Sequence, residues 1–210
     1  MNAPSLDDLT DALVAAVPAL DEHSRPLALA LFRGLARGRP VPDTMLAAET
    51  HFPIDQVRST LASWPGVFRD NDEHIIGFWG LARSEMPHAL DVNGIHLYAW
   101  CAWDTLFLPG ILRADAFVQS QDPQSGESVT LTVTADKVLE RSHERMVVSF
   151  LAPDERFDSN VITSFCHYIH FFTSPDNAAP WLASHSGTFL LELDDAFELG
   201  RRWNAARGLA

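Results

Sequence analysis

The sequence predicts an α+β chain in which a winged-helix-like, mostly helical N-terminal region precedes a mainly antiparallel sheet with helices. Three patterns carry that expectation. Leu6, Leu9, Leu13 and Val17 recur at helical spacing. Val129, Leu131 and Val133 alternate with Thr130, Thr132 and Thr134, the period of a half-buried strand. Polar Asp70-Asn71-Asp72 interrupts the stretch from Gly66 to Gly80, as a turn interrupts a hairpin.

The elements follow in chain order. Ser5 is a good N-cap for the first helix, with acids in the first turn. A second helix is expected from Ser24 to Arg37, with Pro26 near its start and Gly38 just past its end. After Pro40 and Pro42, Thr44 to His51 and Asp55 to Trp64 read as two short helices around Phe52-Pro53-Ile54. Helix–turn–helix followed by a hairpin gives the winged-helix shape. Residues 1–80 are therefore expected to form this N-terminal region, and residues 81–210 an α+β region carrying both cysteines.

In the second region, Ala114 to Gln121 should pair with the 129–134 strand through the turn Asp122-Pro123-Gln124-Ser125-Gly126. Arg145 to Leu151 and Thr188 to Leu193 are further strands. A helix is expected from Cys101 to Leu108, stopped by Pro109-Gly110, and a last one from Asp194 to Ala206. Such a succession of helices, then strands, is the mark of an α+β architecture.

Composition narrows the function. A 47% hydrophobic and 20% charged chain of 210 residues is an ordinary globular protein. The net charge of −13, with Lys137 the single lysine, argues against nucleic acid as the main partner, because phosphate binding needs clustered cations. The opening MNAPSLDDLTDAL carries acids where a secretory signal needs basic residues and an apolar run. The uncharged stretch from Ser159 to Pro175 contains histidines and hydroxyls and falls short of the ~20 apolar residues a membrane span requires. The expectation is a cytoplasmic protein with no membrane partner, in a compartment where thiols stay reduced.

Two cysteines, Cys101 and Cys166, then become informative. In the segment LYAWCAWDTL, a helix beginning at Cys101 sets Cys101 and Asp104 on one face. A thiol at a helix N-terminus ionises more easily, and a carboxyl walled in by Trp100, Trp103 and Leu106 tends to keep its proton. Read alone, the pair fits better a core thiol beside a surface or capping aspartate. The segment FCHYIHFF, read as a strand, puts Cys166, Tyr168 and His170 on one face and His167 and Ile169 on the other. Cys166 and His170 on one face, with Cys101 as a third ligand, invite a zinc site; hydrogen-bonded core histidines fit His167 and His170 as well.

LYAWCAWDTL followed by FCHYIHFF resembles the organomercurial (alkylmercury) lyase family. The resemblance extends to GLARGRP at Gly34 to Pro40, Ile75-Ile76-Gly77, Thr130-Leu131-Thr132-Val133, Trp181 and Phe197-Glu198-Leu199-Gly200, nearly the whole chain. It implies a winged-helix-like region before a catalytic region, and protonolysis of carbon–mercury bonds to a hydrocarbon and Hg2+. It also implies that Cys101 and Cys166 are catalytic cysteines and Asp104 the proton donor, all three meeting substrate or product mercury. No cofactor is implied: mercury enters as substrate and leaves as product, with small thiols or a mercuric reductase as its acceptor. The best-known members often carry another cysteine where His167 stands, and one in the strand here reading Val118-Gln119-Ser120-Gln121. Trp100, Trp103, Phe165 and Phe172 are expected to surround the organic group.

Two other readings share these features. A winged-helix regulator would use Arg25, Arg33, Arg37, Arg39, Arg58 and Arg69, which outnumber Asp43, Glu49 and Asp55; yet the recognition helix, Asp55 to Trp64, offers Arg58 as its one basic side chain. A thiol-based soft-metal binding protein would keep both cysteines but has no evident need for Asp104.

Overall fold

The computed structural model describes residues 4–210; residues 1–3, the start of the expected N-terminal region, lie outside the described residues. Four helices come first: α1 (Leu6–Ala16), α2 (Ser24–Ala36), α3 (Asp43–Thr50) and α4 (Ile54–Ser63). Ser5 caps α1 as expected, its hydroxyl accepting the Asp8 N–H at 3.1 Å. The apolar stripe of α1 buries Leu9, Leu13 and Ala16. The wing is the antiparallel pair β1 (Val67–Arg69) and β2 (Ile75–Phe78), with Val67 opposite Phe78.

The wing does not stand apart. A two-residue strand, β3 (Leu81–Ala82), pairs with β2 on one side and with β5 (Ile95–Ala99) on the other. Beyond it lie β4 (His88–Val92), β6 (Ala116–Gln121), β7 (Ser128–Val133) and β8 (Val138–Arg141), completing an eight-stranded sheet in the order β1-β2-β3-β5-β4-β6-β7-β8. The β6–β7 pairing follows the expected register, Val118 facing Leu131. One apolar core runs through both regions, from Leu9 and Phe32 to Phe150 and Phe171. Each of these fully buried phenylalanines contributes about 1.5–3 kcal/mol.

Between the strands runs α5 (Asp104–Leu112), which corrects the expected helix at both ends. It begins three residues after Cys101, so the thiol precedes the helix, and it carries Pro109 inside rather than stopping there. A proline removes only one helical N–H bond, and the helix is held from outside by α8 (Leu193–Arg207). Asn204 donates to the Phe107 carbonyl at 2.8 Å, Trp103 Nε1 donates to Ala196 at 3.1 Å, and a Cβ on Gly200 would meet Phe107 Cβ at 2.7 Å.

The remaining strands, β9 (Val147–Leu151), β10 (Phe171–Phe172) and β11 (Thr188–Glu192), form a second antiparallel sheet with β9 in the middle. Here the expected strand through Cys166 is replaced by α6 (Val161–Ser164), a 3-10 turn (Cys166–Tyr168) and then β10; α7 (Pro175–Ser184) follows. The reason lies in Ser149 of β9. Its hydroxyl donates to the Tyr168 carbonyl at 2.7 Å and accepts the His170 N–H at 3.0 Å, meeting backbone needs that a strand partner would otherwise meet.

Candidate active site

Three turns of backbone bring the site together. The Trp100 N–H donates to the Gly80 carbonyl at 3.0 Å, holding the end of β5 against the base of the wing. The Cys101 N–H donates to Asp104 Oδ2 at 2.8 Å, so the first residue of α5 reaches back and fixes the cysteine ahead of it. The Ala102 N–H donates to the Ile169 carbonyl at 3.2 Å, tying this segment to the Cys166 turn. The side chains of Cys101, Asp104 and Cys166 consequently converge: their ligand atoms lie within 4.8 Å of one another, the one such group of three among the described residues. The expected grouping of Cys166 with His170 does not form, because the 3-10 turn removes the strand periodicity on which it rested.

The cluster sits against a small apolar pocket. Asp104 and Cys166 line it, 5% and 4% exposed, while Cys101 is fully buried and does not. Of the expected aromatic surround, Trp100, Trp103 and Phe165 are in the wall. Phe172 is not; it packs with Val147 and Ala178 in a separate small cluster, because β10 turns it away from the Cys166 side. The N-terminal region supplies part of the wall through Leu13, Val17, Pro65 and Trp79.

Family models describe the two parts of such a chain: "Helix-turn-helix domain of alkylmercury lyase" matches residues 5–79, and "Alkylmercury lyase" matches residues 81–205. The chain belongs to the alkylmercury lyase family. The alkylmercury lyase of Staphylococcus epidermidis (strain ATCC 12228 / FDA PCI 1200) is 40% identical over 175 residues, 83% of this chain and 80% of that protein. That of Streptomyces lividans is 40% identical over 171 residues, 81% of this chain and 78% of the relative. A crystal structure of the mercury-bound form of MerB2 superposes with a TM-score of 0.78 at 26% identity, covering 98% of both chains. The protein is thus an organomercurial lyase, an enzyme of the class that cleaves carbon–mercury bonds.

In this lyase the electrostatics of the cluster are dominated by burial. It lifts the Asp104 carboxyl from 3.8 to about 7, against the opposing hydrogen bonds from Cys101. Burial also pushes the Cys101 thiol well above its ordinary value, helped by its contact with Cys166 and the charge of Asp104. The Cys166 thiol is raised too: the hydrogen bond from Cys101 lowers it, but burial and Asp104 outweigh that bond. The expectation of a thiol made acidic by a helix N-terminus is therefore corrected. Cys101 lies before the helix, and loss of solvation exceeds any help from the dipole.

A site residue that sequence reasoning did not single out is Gly80. Its φ is +94°, and a Cβ there would sit 2.6 Å from both Cγ and Oδ1 of Asp104. The preceding Trp79 also has positive φ, at 34°. The signal available in the sequence was a glycine closing the hairpin; what the glycine makes room for was not visible.

Several of the arginines that the regulator reading would use are paired with acids. Asp43 sits within 2.9 Å of Arg69 and 3.5 Å of Arg58, and Glu49 is bonded by Arg33. No helix among the described residues is long and apolar enough to cross a membrane.

Proposed function

We propose that Cys101, Cys166 and Asp104 carry out the carbon–mercury protonolysis. The observation that carries this reading is the buried convergence of two thiols and a carboxyl poised near neutrality, at the wall of an apolar pocket. Free thiolates are disfavoured in so dry a place. A mercury cation supplies the missing charge, since a coordinating thiol is deprotonated by the metal it binds, and thiolate is the ligand a soft ion prefers.

Cys166 lines the pocket and takes the R–Hg+ ion first, its sulfur binding mercury as its proton leaves to solvent. Cys101 then gives its proton to the Asp104 carboxylate and adds its sulfur to the same mercury. Two sulfurs raise electron density on the attached carbon. Asp104 delivers the proton to that carbon, the electron pair of the carbon–mercury bond becomes the new C–H bond, and the hydrocarbon leaves. Mercury remains as Hg2+ on two thiolates, with Asp104 again a carboxylate beside it. Because the bond's own electrons and one recycled proton close the balance, the reaction needs no redox cofactor. A general acid placed this way is worth about 10²–10⁴-fold in rate.

Two small thiols, or the paired thiols of a mercuric reductase, would take the ion by exchange, each incoming thiol returning a proton to a cysteine. A reducing cytoplasm suits this exchange and keeps Cys101 and Cys166 free. Residues 1–80 and 81–210 are read as two regions of one site, the first walling the pocket and the second carrying the reacting groups. Headspace gas chromatography of methane from methylmercury tests the assignment. Wild-type protein is expected to release one methane per mercury bound. Full release by Cys166→Ala would overturn the dithiol mechanism.

A further inference from the structure

The last residue of α8, Arg207, is a cation buried beside the pocket rather than set in solvent. It is 4% exposed, and its guanidinium carbon lies 4.3 Å from the centroid of the Trp79 ring and 4.8 Å from that of Trp203. Both rings line the pocket; Arg207 itself does not. Its Nη1 donates to the Pro18 carbonyl at 3.1 Å, next to Val17 of the same wall. One side chain thus touches three pieces of chain that wall the pocket: the base of the wing, the segment just past α1, and α8.

A role in holding the fold does not account for the charge. Nε and Nη2 of Arg207 are buried with no hydrogen-bond partner among the described residues. Burial draws the guanidinium down to about 10, with no acid to offset it, so it stays cationic at neutral pH. A helix C-terminus favours a nearby cation, but a solvated one would serve as well. An apolar side chain of like length would fill the space without the cost of a buried, unpaired charge. What the guanidinium adds is a flat cation against two indole rings, an attraction that strengthens away from water. Trp79 is also pinned at its edge, Nε1 donating to the Pro65 carbonyl at 2.8 Å.

We propose that Arg207 is a positioning residue for substrate specificity, clamping Trp79 and Trp203 so that the pocket wall resists opening for bulky organic groups. The inference rests on this pocket receiving the organic group of the mercurial that Cys166 and Cys101 hold. A methyl group asks little of that wall, whereas a fused aryl group has to push against it.

The test compares kcat/KM for methylmercury and 1-naphthylmercury, read as released methane and naphthalene, in the full wild-type chain, Arg207→Met and Arg207→Lys. Arg207→Met keeps a stem of similar length and removes the charged fork. Arg207→Lys keeps the charge but loses the planar group that lies against both rings. In both variants the naphthyl-to-methyl ratio should rise by roughly threefold or more, mainly through a lower KM for the naphthyl substrate. A merely structural role would lower both substrates together and leave the ratio flat. A smaller rise, or a fall, overturns the proposal; so does the failure of both variants to fold, which would make Arg207 a residue of the fold alone. Because the clamp acts through Trp79, adding Arg207→Met to Trp79→Phe should change the ratio less than it does in the wild-type background. An equal or larger change counts against the clamp. Cys166→Ala is run beside these variants. If it still releases hydrocarbon in full, the catalytic reading falls and this inference with it; if it is inactive while the ratio stays flat, the role of Arg207 falls alone.

Discussion

The segment carrying Cys101 and the segment carrying Cys166 meet at one pocket but are held in different ways. Around Cys101 every neighbour is fixed by the chain itself: Trp100 bonds Gly80, Cys101 bonds Asp104, and Thr105 bonds the Ala102 carbonyl at 2.7 Å. Cys166 sits on a single 3-10 turn that is tied to β9 by the Ser149 hydroxyl and by the Ser149 N–H, which donates to the His170 carbonyl at 3.0 Å. The first thiol is anchored beside the Asp104 carboxyl and hidden; the second is on the pocket wall. The difference in access, with Cys166 on the pocket wall and Cys101 behind it, underlies the order of capture proposed above.

Substitutions at the cysteines should expose that division most strongly. Cys101→Ala and Cys166→Ala should each reduce hydrocarbon release to background. Rapid mixing with a chromophoric mercurial should separate them: Cys101→Ala still captures one equivalent quickly, and Cys166→Ala captures slowly. Equal capture rates would break the comparison.

The Asp104 carboxyl gives the next largest effect. Its value is 3.8 ordinarily and about 7 in the folded protein. Between those values the unfolded chain has released the proton and the folded chain still holds it, so stability falls as pH rises from about 4 to 7 and levels off above. The fall is on the order of 3–4 kcal/mol from this group. In denaturant melts across that range, Asp104→Asn should show a smaller slope; it should also lose about 10²–10⁴-fold in turnover. An unchanged slope would remove Asp104 as the buried acid.

Gly80→Ala tests the anchored side from its neighbour. The new Cβ collides with the carboxyl at 2.6 Å and the backbone stays at φ +94°, so a destabilisation of about 1–3 kcal/mol is expected together with slower protonolysis. A variant that melts like wild type and turns over normally would show that Asp104 has room to move. Ser149→Ala tests the other side more gently. Losing its two bonds should cost about 1–2 kcal/mol, and hydrogen exchange should speed up at Tyr168 to His170 while the Cys101 segment stays protected.

How much of this was legible follows from how local each determinant is. Ser5, the stripe on α1, the wing and the β6–β7 hairpin are written in neighbouring residues, and the sequence reads them correctly. Cys101 and Asp104 were legible as a pair because they lie three residues apart. The Cys166 turn was not, since its alternation of residues fits a strand, while the bonds from distant Ser149 and Ala102 help to hold a turn there. Pro109 was misread for a similar reason: the propensity to stop a helix is local, while the packing of Gly200 and Asn204 that sustains α5 is not. Leu13 and Val17 read as a core stripe, and they are; that the same stripe also walls a pocket depends on a partner surface far along the chain.

The sheet that passes from wing to catalytic strands without a break bears on inheritance as well as on shape. A module that can be traded between proteins brings its own finished edges, but here β2 is completed by β3 and the join is the residue lying against Asp104. A chain from which the helical region were removed would therefore lose the strand pairing at that join and disturb the surroundings of Asp104 at the same step.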